Sequence, residues 1–207
     1  MQRRKRIDAA GHGFTPAVAI FTIAALVLGG LSPRAWAFDE AAFAHDQIPS
    51  ARLSGHAELR RYGLLIYDAK LFVGDGGIVD KQLAAKPLVL DRHYARAFTG
   101  RHLASIARQA MDDEGLANHA KTAAWEKQLG QFLPDMAAGQ HLSAVFTPGH
   151  GTTFYAEGKR VGDIPGDEFA SAFFAIWLDE SSYTPGLRRS LLDDAMARSN
   201  GQQTQRD

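Results

Sequence analysis

The chain has 207 residues, no cysteine, and 23 basic residues that balance 23 acidic ones. Hydrophobic residues make up 45% and charged residues 22%, which are ordinary globular values and exclude a disordered or collagenous chain. The absence of cysteine excludes a thiol nucleophile, a Cys-based zinc site and an iron–sulfur cluster. The net charge of zero argues against a nucleic-acid binder, because phosphate contacts need a surplus of Lys and Arg.

The first 37 residues predict a secretory signal peptide. A basic cluster at 3–6 precedes an apolar run at 17–31, and Ala35-Trp36-Ala37 supplies the small residues of a cleavage site. An uncleaved anchor helix is the alternative, but the run is shorter than the ~20 residues that span a membrane. We therefore expect cleavage after Ala37, export to the periplasm and no membrane span afterwards. The charge then divides into +4 for residues 1–37 (five basic, one acidic) and −4 for residues 38–207 (18 basic, 22 acidic).

One domain is expected over residues 53–192, between a soft lead-in at 38–52 and a polar tail at 193–207. From Leu53 to Val73 apolar residues recur at every second position, which predicts half-buried strands. The first strand is expected to have Leu53 on the same face as Ala57.

The later elements follow from turn residues and a change of period. In chain order they are a turn at 74–77, a strand at 87–95, a helix from Gly100 to Gly115, a helix at 121–132, two strands at 140–147 and 152–157 joined by a turn, a buried helix at 167–178 and a last helix from Pro185. This order predicts an α+β domain, with an antiparallel sheet and helices packed on one face.

Chemical motifs are scarce. The eight histidines form no H-x-H or H-E-x-x-H pair, so we expect scattered surface histidines and no metal site. Neither a phosphate-binding loop nor a G-x-S-x-G or S-x-x-K motif is present.

Tyr67 is the polar residue that stands out. The strand period puts its phenol on the face of Leu65, Ala69 and Leu71, and the same parity, carried back without a bulge, puts Arg61 there too. A buried Tyr often satisfies its hydroxyl with backbone or water. The functional alternative is an apolar cavity in which a few polar groups orient the head of a ligand.

Several stretches in order suggest a family. They are 63–71 around Tyr67, the strand that reaches Tyr94, Thr99-Gly100 before a helix, 139–142, 169–178 and 187–192. Together, over residues 53–192, they resemble the chalcone isomerase-like family, in particular its exported bacterial branch. The resemblance implies an open-faced β-sandwich, a large antiparallel sheet covered by helices, with the ligand between the two.

The resemblance also bears on activity. Plant members close a flavanone ring by adding a phenolate to an enone, whereas other members are non-catalytic fatty-acid binders. The polar positions of the plant enzymes align with Tyr67, with Ser54 or Gly55 in place of an Arg, and with Leu103, Ala110 and Ala170. Four of the five polar positions are thus lost, although Arg60 or Arg61 could replace the Arg. Because stabilising a developing charge needs donors at defined positions, the loss favours binding over catalysis.

Three hypotheses remain open. The first is an exported, non-catalytic protein that binds a hydrophobic fatty acid-like or aromatic molecule without a cofactor or metal. Its ligand-binding residues would be Tyr67, Arg60, Arg61 and Tyr94. The second is an intramolecular lyase of the chalcone isomerase type with a rearranged site. The third is a periplasmic structural or partner-binding protein without a small ligand.

Overall fold

The computed structural model describes residues 38–75, 86–180 and 186–193. The predicted signal peptide, residues 76–77 of the predicted turn, Pro185 and the tail beyond residue 193 lie outside these ranges. Within them, no helix has the length and apolar character needed to cross a membrane.

Six antiparallel strands form one sheet in the order β1-β2-β3-β4-β5-β6, so each strand pairs with its neighbour in the sequence. The strands are β1 Arg52–Arg61, β2 Leu64–Val73, β3 Leu88–Tyr94, β4 His141–Thr147, β5 Gly151–Ala156 and β6 Lys159–Pro165. The first five were predicted, and β6 was not. Its pattern is weak because it is an edge strand in which Ile164 is buried and most other residues are partly or fully exposed.

Four helices have defined bounds: α1 Glu40–Gln47, α2 Gly100–Asp113, α3 His119–Phe132 and α4 Asp167–Leu178. Residues 186–193 are also helical. The start of α2 is capped by Thr99, whose Oγ1 accepts from the backbone N–H of His102. Gly115, with a φ of 65°, follows its end as predicted.

The main core lies between the sheet and the later helices. Phe146 of β4 packs on Phe174 of α4, and Phe154 of β5 packs on Phe169 and Phe173. The apolar side chains of helix 186–193 join the same cluster. The predicted α+β fold, an open-faced β-sandwich, is confirmed.

The opposite face of the sheet is partly covered by α1. The expected soft lead-in contains this helix, which the Asp39 carboxylate caps by accepting from the N–H groups of Ala41 and Ala42. Phe43 and Ala44 are its buried residues, and they pack on Phe72, Val89 and Val145. So few buried positions in a short helix give almost no periodic signal.

A β-bulge changes the faces predicted for β1. The register against β2 shifts between Leu53 and Gly55. Ser54 is consequently buried, and Leu53 is 41% exposed. The prediction that Leu53 shares the core face of Ala57 was therefore wrong, because one extra residue reverses the alternation.

Candidate ligand-binding site

Arg92 is a buried cation in the middle of the sheet. It lies on β3 and pairs with Ala69 of β2 and Leu142 of β4. It alternates with Leu90 and Tyr94, which belong to the main core, so its side chain points toward the helices. The residue is only 7% exposed.

Aromatic rings surround the guanidinium group of Arg92. Its central carbon lies 5.1 Å from the ring centre of Trp177, 5.7 Å from that of Phe173 and 5.8 Å from that of Tyr94. Each such cation–π contact contributes about 0.5–2 kcal/mol, whereas moving a charged group out of water costs several times that amount.

Arg92 has no anionic partner within the part of the chain that the structure describes. Every ion pair there joins other residues. Its Nε is buried and also lacks a hydrogen-bond partner. A buried charge is normally paired, so Arg92 has the property expected of a residue that receives an anionic group.

Tyr67 lies beside this cation and is 8% exposed, which confirms its predicted burial. The indole Nε1–H of Trp177 donates to the Tyr67 hydroxyl oxygen at 2.7 Å. Burial raises the pKa of Tyr67 to about 12, although the Trp177 hydrogen bond and the charge of Arg92 act in the other direction. The phenol therefore stays neutral and keeps its proton, for which the described residues provide no acceptor.

Tyr94 completes the group. It pairs with Tyr67 in the sheet, and the two rings meet edge to face with centres 5.8 Å apart. Burial raises the pKa of Tyr94, and the charge of Arg92 opposes that shift. We call Arg92, Tyr67, Tyr94, Trp177 and Phe173 the Arg92 cluster.

Arg60 and Arg61 lie outside the Arg92 cluster. Both are exposed at the end of β1, and Arg60 forms an ion pair with Glu58 at 2.8 Å. The register shifts between Leu59 and Arg60, so the parity used for Arg61 does not continue to it. The charge of Arg61 nevertheless lowers the pKa of Tyr67 slightly, against the larger effect of burial.

Sequence reasoning thus identified Tyr67 and Tyr94, which the structure brings together, and missed Arg92 and the role of Trp177. A signal for Arg92 was available. Leu88, Leu90, Arg92 and Tyr94 alternate along the predicted third strand, and this parity puts the cation on the apolar face.

A second polar cluster lies on the opposite face of the sheet. It lines a cleft of about 310 Å³, formed by Glu40, Asp68, Lys70, Asp91, His93 and His141. Asp91 is 2% exposed and accepts from His141 Nδ1 at 2.7 Å and from Ser143 Oγ at 2.6 Å. Lys70 binds Glu40 at the start of α1, so the cluster helps to hold that helix.

His93 and His141 are a correction to the expected scatter of surface histidines, because their rings stack with centres 4.4 Å apart. Burial lowers the pKa of His141, but the hydrogen bond and charge of Asp91 outweigh it, so the net shift is upward. Among the described residues, no group of three or more His, Asp or Glu side chains could hold a metal ion.

The family described as chalcone isomerase-like matches residues 66–193. The crystal structure of a fatty-acid binding protein from Arabidopsis thaliana is similar, with a TM-score of 0.58 over 72% of this chain and 89% of that chain. The identity is 13%, so this likeness concerns the fold alone. By sequence, no curated protein matches the chain.

Proposed function

Because this chain belongs to the chalcone isomerase-like family, and because its core buries a cation that has no anionic partner among the described residues, we propose that it binds a hydrophobic molecule with an anionic head. A fatty acid is the simplest such molecule. The observation that carries the proposal is the buried guanidinium group of Arg92 between the sheet and the helices, which has no anionic partner and an unbonded Nε within the described part of the chain.

The donors of the Arg92 cluster suit a carboxylate. A guanidinium group can donate two parallel hydrogen bonds to a carboxylate, and the neutral phenol of Tyr67 can donate a third. The indole N–H of Trp177 donates a hydrogen bond to the Tyr67 hydroxyl oxygen, and this bond orients the phenol. The aromatic side chains around Arg92 offer apolar contacts to the part of the ligand next to its head.

We propose binding and not catalysis. A phenol with a pKa of about 12 does not accept a proton at neutral pH, and a guanidinium group is always protonated. The fatty-acid binding function of the similar Arabidopsis protein supports this choice. Turnover of a chalcone above the spontaneous rate would contradict it and favour the isomerase alternative.

We also propose that the protein is exported to the periplasm after cleavage at Ala37. The basic cluster, the apolar run and the small residues of 1–37 support this. The test is the mass of the chain recovered from a periplasmic fraction of a Gram-negative host. A chain that keeps its first 37 residues there would contradict cleavage.

The ligand is tested with palmitate and its methyl ester, which differ in the charge of the head. Delipidated full chain is titrated with each and followed by calorimetry and native mass spectrometry. Wild-type protein is expected to prefer palmitate by about 10- to 100-fold, the value of a hydrogen bond to a charged group. Arg92→Met is expected to abolish the preference while the ester still binds.

Two further variants sharpen the test. Tyr67→Phe removes one donor and is expected to weaken palmitate binding without removing the preference. Arg61→Met, which lowers the charge by the same amount outside the cluster, is expected to bind like wild type. Equal affinity for acid and ester in wild type would refute the role of Arg92. Binding of neither would favour a structural or partner-binding protein.

A further inference from the structure

The turn between β1 and β2 has an unusual residue at its tip. Tyr62 and Gly63 form the two-residue turn, with φ values of 52° and 78°. Two positive φ angles are typical of the hairpin turn that favours Asn-Gly, because most other side chains are strained there. Tyr62 is nevertheless 99% exposed.

A second hairpin of the same chain provides an internal comparison. Glu157 and Gly158 join β5 to β6 with φ values of 50° and 72°. Here the strained position has a polar side chain, and Glu157 accepts a hydrogen bond from the backbone N–H of His141. Tyr62 makes no hydrogen bond or ring contact with the other described residues. Neither the turn nor packing therefore explains an aromatic residue at this position.

The surroundings of Tyr62 are apolar and basic. Leu64 is 51% exposed next to the turn. Arg60, Arg61 and Arg96 are all exposed, and Arg96 is held beside the hairpin because its Nε donates to the carbonyl oxygen of Leu65 at 3.2 Å. We call residues 60–64 together with Arg96 the hairpin tip.

The charge of the hairpin tip is opposite to that of the rest of the domain. Its three Arg residues are offset by Glu58, the partner of Arg60, which leaves +2. Residues 38–207 carry −4 in total (18 basic, 22 acidic). Three Arg residues therefore lie beside the exposed Tyr62 and Leu64, in a domain that is acidic as a whole.

We propose that the hairpin tip docks on an anionic lipid bilayer. Tyr rings favour the level of the lipid head groups, where one end is apolar and the other hydrated. Arg side chains bind lipid phosphates and are attracted by a negative surface. The tip extends the same strands that carry Tyr67, so docking brings this end of the sheet to the membrane. The proposal does not require the ligand proposed above.

The full chain has no cysteine, so one introduced thiol can report where the protein meets the bilayer. Tyr62→Cys and Lys159→Cys, the latter at the exposed second hairpin, are each labelled with the same environment-sensitive fluorophore. They are mixed with vesicles of phosphatidylcholine alone or with added phosphatidylglycerol. We expect the label at 62, and not that at 159, to shift to an apolar environment and to be quenched by lipid-bound quenchers in the anionic vesicles. This readout is local, so attachment through residues 1–37 does not mimic it.

Further variants separate the contributions of the Arg61 charge and of the Tyr62 ring to vesicle binding. In the chain labelled at 62, Arg61→Gln is expected to reduce the apparent vesicle affinity about five-fold, and Lys159→Gln is expected to leave it unchanged. In the unlabelled chain, Tyr62→Asn is expected to weaken vesicle binding while the melting temperature stays equal or rises, since Asn suits the turn.

Two results would overturn the proposal. One is a label at 62 that remains in water with anionic vesicles, which would leave an acidic protein surface as the partner of the tip. The other is equal insertion into neutral and anionic vesicles, which would show that the Arg residues do not contribute.

Discussion

Replacing Arg92 with Met should stabilise the ligand-free protein while it removes ligand selectivity. Met keeps an unbranched side chain of similar length and deletes the charge. The loss is three cation–π contacts, at 5.1 to 5.8 Å, each worth about 0.5–2 kcal/mol. The gain is relief from burying an unpaired ion, which costs several kcal/mol even after relaxation.

The two effects are of similar size, and the absence of an anionic partner for Arg92 in residues 38–75, 86–180 and 186–193 decides between them. Exchanging buried ionic groups for packed apolar ones is typically neutral or stabilising by up to about 4 kcal/mol. We therefore expect Arg92→Met to raise the free energy of unfolding by about 1–2 kcal/mol. For a domain of this size, each kcal/mol corresponds to roughly 2–4 °C in melting temperature.

The assay is thermal unfolding of delipidated full chain, followed by circular dichroism with and without palmitate. Arg92→Met should melt above wild type without the ligand. Palmitate should raise the melting temperature of wild type more than that of Arg92→Met, because a ligand that binds more tightly stabilises the folded state more. Arg61→Met should stay within about 0.5 kcal/mol of wild type, as exposed substitutions do. A loss of more than about 2 kcal/mol in ligand-free Arg92→Met would show that Arg92 is structural, and would refute this reasoning.

Three further predictions concern stability. The pKa of His141 is raised in the folded chain, so its protonated form stabilises the fold below the unfolded pKa and that contribution is lost as pH rises through the folded pKa. His141→Gln should flatten the decrease in melting temperature over that window, and a profile identical to wild type would contradict the Asp91 pairing. In Gly55→Ala the new Cβ would lie 2.1 Å from the Ser190 carbonyl oxygen. The Gly55→Ala substitution should lower the free energy of unfolding, measured in urea, by about 1–3 kcal/mol or more. An unchanged urea midpoint would rule out this close contact. Phe43→Ala should speed hydrogen exchange in α1 while the sheet keeps its protection, because α1 is held by a small separate cluster; uniform exchange throughout would show that α1 unfolds only with the core.

The parts of the fold that sequence predicted are those with strong periodic patterns. Helix α4 was predicted at its observed bounds, since most of its residues are apolar and Pro165 and Gly166 precede it. Strand β6 was missed because an edge strand buries little, and α1 was missed because Phe43 and Ala44 alone are buried. Both elements depend on tertiary contacts that leave little trace in a local pattern.

The candidate site also depends on tertiary contacts that a local sequence pattern does not reveal. The strand period correctly predicted that Tyr67 is buried on the core face, because the pairing of β2 with β3 is regular there. It failed at Arg61, since a register shift between Leu59 and Arg60 is set by pairing with β2 and has no residue signature. The hydrogen bond between Trp177 and Tyr67 joins residues 110 positions apart, and a local sequence pattern cannot predict such a long-range contact.

The close approach at Gly55 has a consequence for how the protein folds. The first strand meets the backbone of helix 186–193, whose Leu191 is fully buried in the main core. The domain therefore cannot finish folding until helix 186–193 is available to pack against β1. Without this helix, the side of β1 that contacts it has no cover. A chain that ends before residue 186 should therefore remain aggregation-prone.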